Sequence, residues 1–151
     1  MAGNVVENLK SLNDSISINF IHQHELITKT RYVEQKSNHM FLRVDEGEGN
    51  ITPLVLNDTY VDMIKESDGV IISDYNKGYL TYDDVQAISN SHPLTFIDTK
   101  KTIDERMKNY SFIKINEVEW EACKNQKYSD WENKLIVTMS ERGAMYNGIT
   151  Y

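Results

Sequence analysis

The sequence is poor in the features that announce many protein classes. Its 151 residues hold one cysteine, Cys123. A lone thiol closes no internal disulfide, so a reducing compartment, the cytoplasm, is the expected setting. Cys123 lies in a predicted helix beside Trp120 with no partner pattern around it, and reads as a packing residue rather than a nucleophile. No apolar run approaches the roughly 18 residues a membrane-spanning helix needs. The opening Met-Ala-Gly-Asn carries no leader pattern. Basic residues are outnumbered, 16 against 23 acidic, for a net charge of -7. That balance argues against broad attraction to nucleic acid or an anionic membrane, while leaving room for a small anionic ligand held by a local cluster. There is no P-loop, no G-x-G-x-x-G and no nucleophile elbow. The histidines His22, His24, His39 and His92 have no zinc-ligand spacing.

What is present is globular: 40% of residues are apolar and 26% charged, enough for one domain or a piece of a larger one. Residues 3–12 place Val5, Leu9 and Leu12 on one helical face. Ser15 to Ile21 (SISINFI) alternates like a half-buried strand. Residues 27–34 and 39–44 read as a hairpin around a four-residue polar loop, followed by an acidic turn, DEGEGN, at 45–50. From residue 57 the texture changes. A short helix at 60–65 precedes an apolar strand at 69–73. A helix at 82–91 follows, with Thr81 as its cap and Asp83 and Asp84 in its first turn. Further apolar strands fall at 94–97, 111–115 and 134–139. A helix spans 118–124, and a hairpin begins at 144–151.

Apolar strands alternating with helices predict an α/β fold with a mostly parallel sheet flanked by helices. In such sheets ligands sit beyond the carboxyl ends of the strands. Those ends read DYNKG, DTKK, NEVE and SERG. Each alone is an ordinary polar loop; together they predict a rim that mixes Lys77, Lys100 and Lys101 with Asp74, Asp98 and Glu119. The mixture suits an anion plus a divalent cation, most simply phosphate with magnesium. Gly78 after Lys77 allows a tight turn and close ligand approach. Adjacent lysines on an extended segment point opposite ways, so at most one of Lys100 and Lys101 is expected to face the site. Asn116 and Glu119 can face one point across a strand–helix junction, and Asn116 can equally serve as a helix cap.

In this order the clusters resemble the ribokinase-like (PfkB) carbohydrate kinases, and among them the kinases of D-glycero-D-manno-heptose phosphates. "AGNVVENLKSL" is similar to that family's Asn-bearing helix after the first sugar loop. "KTRYVEQKSNHMFLRVDE" resembles the lid strands, "ISDYNKGYLT" the Ser-Asp-Tyr-x-Lys-Gly segment and "FIDTKK" the Asp-Pro-Lys segment. "KINEVEW" resembles the Asn-x-x-Glu signature, and "LIVTMSERGA" the nucleotide-side Val-Thr-Leu-Gly-x-x-Gly.

The resemblance implies a partial kinase domain over 1–151, with a β-lid at about 15–50 and β-α core units at 57–151. It implies ATP-dependent phosphorylation of a sugar or sugar phosphate with Mg2+. Asn4, Arg31, Arg43, Asp74, Lys77, Gly78, Asp98 and Lys100 would meet sugar or phosphate. Ser140 and Gly143 would meet nucleotide, and Asn116 and Glu119 the metal. It also implies a possible homodimer through the lid. The departures are specific. Thr99 replaces the usual proline, Ser140 replaces a glycine, and part of the first β-α layer is abridged. The family's Gly-Ala-Gly-Asp segment, which carries the catalytic base, is not in these 151 residues, so the chain is expected to bind rather than turn over. The alternative is a non-catalytic nucleotide- or sugar-phosphate-binding module, or a remnant that works with a partner.

Overall fold

The computed structural model describes residues 2–124, 131 and 133–151. Helix α1 (Ala2–Leu12) opens the chain. Its end is fixed by Asn13, whose side-chain oxygen accepts bonds from the backbone and hydroxyl of Ser15 at 2.9 and 2.8 Å, a local turn that competes with helix. The strand predicted for Ser15 to Ile21 does not form. The alternating pattern is there, but no neighbouring strand offers its backbone a ladder, and period alone cannot supply one.

Strands β1 (Thr28–Val33) and β2 (Met40–Glu46) form the predicted antiparallel hairpin, with Lys29 opposite Asp45 and Arg31 opposite Arg43. β2 runs further than expected and takes in the first acids of the acidic turn. Gly47 then turns at φ +84, where a Cβ would lie 2.3 Å from the Leu26 carbonyl oxygen; only glycine fits there.

Helix α2 (Asp58–Glu66) leads into the main sheet, formed by β3 (Val70–Asp74), β4 (Thr95–Thr99), β5 (Phe112–Asn116), β6 (Leu135–Thr138), β7 (Ala144–Tyr146) and β8 (Ile149–Thr150). The spatial order is sequential. β3 to β6 are parallel, and β7 and β8 are antiparallel additions. Helices α3 (Tyr82–Ser91) and α4 (Glu117–Cys123) each begin with a capping box, Thr81 with Asp84 and Asn116 with Glu119, which satisfies two orphan backbone donors at each helix start. A 3-10 turn at Glu105–Met107, which the sequence reading did not foresee, is capped by Asp104 and buries Met107.

One buried cluster joins Ile64 of α2, Val85 and Ile88 of α3 and Cys123 of α4 to Ile72, Ile97, Ile113, Ile115, Leu135 and Val137 of the sheet. These strand residues share one face by register, so α2, α3 and α4 cover the same side. Tyr110, fully buried there, donates its hydroxyl to the Val85 carbonyl at 2.8 Å; burial pushes its phenol well above its ordinary pKa. The opposite face carries Ile71, Phe96, Phe112 and Ile136, with Val5 of α1 at the edge of a groove of about 120 Å³. Phe96 and Phe112 stack there with centroids 4.9 Å apart. Ile71 is 50% exposed.

Candidate functional site at the carboxyl edge of the sheet

Because β3, β4, β5 and β6 are parallel and adjacent, their carboxyl ends lie side by side, and the four polar loops share one edge. The loop after β3 is built on Asp74. This carboxylate is buried and accepts from the Asn76 backbone at 3.0 Å and the Thr99 hydroxyl at 3.0 Å. It also lies 3.3 Å from Lys101 Nζ. Lys101, 3% exposed, donates to the Asn76 side chain at 2.9 Å and sits over the Tyr82 ring at 5.2 Å. Asp74 and Lys101 therefore form a buried knot that ties the β3 loop to the β4 loop, with every charge partnered. The sequence expected the paired lysines to point opposite ways, with at most one facing the site. Lys101 is the buried one.

Lys100 points to the rim, and its ammonium donates to Glu119 at 2.6 Å. The other Glu119 oxygen accepts from the Asn116 backbone at 2.7 Å, and the Asn116 side chain accepts from the Glu119 backbone at 2.9 Å. Asn116 thus caps α4, and Glu119 is shared between that cap and Lys100. Among the described residues, no group of three or more His, Cys, Asp or Glu side chains could hold a metal ion. One carboxylate and one amide fit a cation that takes its remaining ligands from phosphate and water, the usual habit of magnesium, and do not make a protein cage.

Lys77 is half-buried and donates to Glu48 of the hairpin turn at 2.6 Å. Gly78 beside it has φ +96 with nothing within 4 Å of where a Cβ would stand, so the loop is open at that point. On the hairpin, Lys29 reaches Asp45 at 3.2 Å and Glu48 at 3.3 Å, and Arg43 holds Asp45 at 2.5 Å. The Arg43 hydrogen bond, with help from Lys29, lowers the Asp45 carboxyl from its usual 3.8 to about 2. Lys77 first, then Lys29, lower that of Glu48.

The remaining sequence candidates lie apart from these. Asp98 faces the open side of the sheet and pairs with Lys114 at 3.0 Å. Asn4 is exposed on α1. Ser140 is exposed in a 3-10 turn at φ +53, the left-handed region where a glycine would be unstrained. Gly143 turns at φ +85, and a Cβ there would meet the Tyr151 carbonyl oxygen at 1.9 Å. Its missing side chain lets the chain close the β7–β8 hairpin through the Ala144–Tyr151 backbone pair. Arg142 pairs with Glu117 at the same edge. Sequence reasoning missed Lys29 and Glu48 as members of these clusters, and did not say which of Lys100 and Lys101 would be buried. Their partners are 16 to 29 residues away, a distance no local pattern reports.

Fold and site together define an α/β protein with a parallel sheet packed on one side and a cation-bearing carboxyl edge. Comparison with known proteins narrows the class. The chain is similar to the bifunctional protein HldE of Psychromonas ingrahamii, 27% identical over 94% of this chain and 34% of that protein. It is 33% identical to the HldE of Nitratiruptor over 71% of this chain and 27% of that one. Against the HldE of Helicobacter pylori strain Shi470 the figures are 32%, 78% and 30%. The chain thus spans about a third of the length of these relatives. No family model matches it, and no solved structure does. Among the described residues no helix is long and apolar enough to cross a membrane.

Proposed function

We propose that this chain is the phosphate-handling part of an ATP-dependent sugar kinase of the ribokinase-like type, acting on a phosphorylated sugar such as heptose 7-phosphate. The observation that carries the reading is the gathering of Lys77, Lys100 and the Asn116–Glu119 pair at one carboxyl edge, with Lys77 tied to Glu48 just after the hairpin that bears Arg31 and Arg43. Similarity to bifunctional HldE proteins over nearly the whole chain supports it. In this reading Lys100 leaves Glu119 when a nucleotide arrives and turns to its phosphates. Glu119 and Asn116 are the residues that would hold a magnesium ion, which would neutralise charge on those phosphates. Arg31 and Arg43 close over the sugar phosphate, where a planar guanidinium suits bidentate contact. Asp98, Asn4, Ser140 and Gly143 are carried only by the resemblance.

The sequence holds no Gly-Ala-Gly-Asp segment, so these residues bind and orient without supplying the base that deprotonates the accepting hydroxyl. The exposed hairpin side chains Tyr32, Val33, Met40, Phe41 and Leu42 support pairing of two hairpins in a homodimer. The lone buried thiol fits a cytoplasmic setting.

The test is calorimetric titration of the 151-residue chain with Mg-ATP, with and without heptose 7-phosphate. The expected result is weak, magnesium-dependent ATP binding that Lys100→Met and Glu119→Gln both reduce, with no phosphoryl transfer. Absence of ATP binding would sink the kinase reading. Turnover by the isolated chain would sink the assignment of a binding role without catalysis.

A further inference from the structure

The Glu48 carboxylate bridges two ammonium groups from separate segments, Lys29 of β1 at 3.3 Å and Lys77 of the β3–α3 loop at 2.6 Å. The surroundings are short of negative charge. Lys29, Arg31, Arg43 and Asp45 share one face of the hairpin by register. With Lys77 and Glu48 added, four cations face two carboxylates, a local positive surplus in a chain of net charge -7. Arg31 stands directly across from Arg43, an arrangement unfavourable by itself, and Arg31 makes no ion pair among the described residues. Open space lies beside Lys77 at Gly78.

We infer that the gap between Lys29 and Lys77 is a binding site for a phosphate monoester, occupied in the ligand-free chain by its own Glu48. The inference rests on the phosphate-handling reading above and adds Lys29 as a ligand-binding residue and Glu48 as an internal competitor. A phosphate monoester brings close to two negative charges and three acceptor oxygens near neutral pH, against one charge on the carboxylate. Half-exposed lysine–glutamate pairs exchange readily in water. Arriving phosphate therefore takes over Lys77 and Lys29, and the acidic turn swings off the β3–α3 loop. Binding and release of the turn are coupled, because phosphate takes the position between the two ammoniums that the Glu48 carboxylate holds.

The probe is inorganic phosphate, titrated into the whole chain and followed by NMR of the Lys77 and Lys29 side chains and the Glu48 carboxyl carbon. If Glu48 fills the site about nine-tenths of the time, Glu48→Gln tightens apparent phosphate binding about ten-fold. The gain is expected to vanish in Glu48→Gln/Lys77→Met and in Glu48→Gln/Lys29→Met. In the unsubstituted chain, the Glu48 signal is expected to move together with that of Lys77 as phosphate is added. Equal affinity with and without Glu48, a gain that survives Lys77→Met, or no phosphate binding to the Glu48→Gln chain would each overturn the inference. None of these touches ATP binding, which is read at Lys100 and Glu119. Lys77-dependent phosphate binding in a chain that ignores ATP would keep this site and discard the kinase.

Discussion

The segment before Ile64 and the segment after it are held together by different physics. Among the described residues the buried hydrophobic core begins at Ile64 and runs to Val137. The hairpin before it leaves Tyr32, Val33, Met40, Phe41 and Leu42 exposed and is fastened by its ladder, by Gly47 against Leu26 and by the ion pairs of Lys29, Arg43 and Lys77. The β-α half draws its cohesion from area removed from water; the hairpin draws its own from charges that stay wet. The proposed site would draw on both, with Arg31 and Arg43 supplied by the hairpin.

That contrast can be broken at several points. The largest effect is expected at the knot between the β3 and β4 loops. Lys101→Met leaves the buried Asp74 carboxylate without its cation and is expected to cost about 3–5 kcal/mol, read as a shift in the urea midpoint. Ile113→Val, one methylene removed from the fully buried face, is expected to cost about 1 kcal/mol. Phe41→Ser on the exposed hairpin should change the midpoint by no more than about 0.5 kcal/mol. If Phe41→Ser proved as costly as the core substitution, the hairpin would be packed against something and the contrast would fail.

Acid offers a finer probe. Asp45 titrates lower in the folded hairpin, about 2, than its usual 3.8. Its contribution is therefore fully present above 3.8 and is lost as the pH falls through about 2. Hydrogen exchange across that window should show the β1–β2 amides losing protection, and Asp45→Asn should remove the pH dependence.

The β-α half was largely legible because its signals are local: continuous apolar strands, the Thr81 cap of α3, and the Asn116–Glu119 spacing that proved to be a capping box. Where the reading went astray, the deciding partner was distant or missing. Ser15 to Ile21 had the period of a strand without a neighbour to pair with. Lys100 and Lys101 were correctly assigned to opposite sides, but that Lys101 would be the buried one depends on Asp74, nearly thirty positions earlier. The acidic turn at 45–50 was placed, but nothing near it in sequence shows that Glu48 meets Lys77. The mostly parallel sheet flanked by helices formed as expected; among the described residues α2, α3 and α4 pack on one face, and Val5 of α1 reaches the other.

The side of the sheet that shows Ile71, Phe96, Phe112 and Ile136 has a consequence for how the chain behaves in a tube. Parallel sheets are normally buried on both faces, and here mutual repulsion among molecules of net charge -7 is expected to oppose contact between such faces. Near the isoelectric point of about 5.1 that repulsion vanishes. Colloidal stability then becomes a matter of buffer rather than of fold: slightly alkaline, low-salt conditions keep the chain dispersed, and mild acid drives it out of solution well before Asp45 takes up its proton.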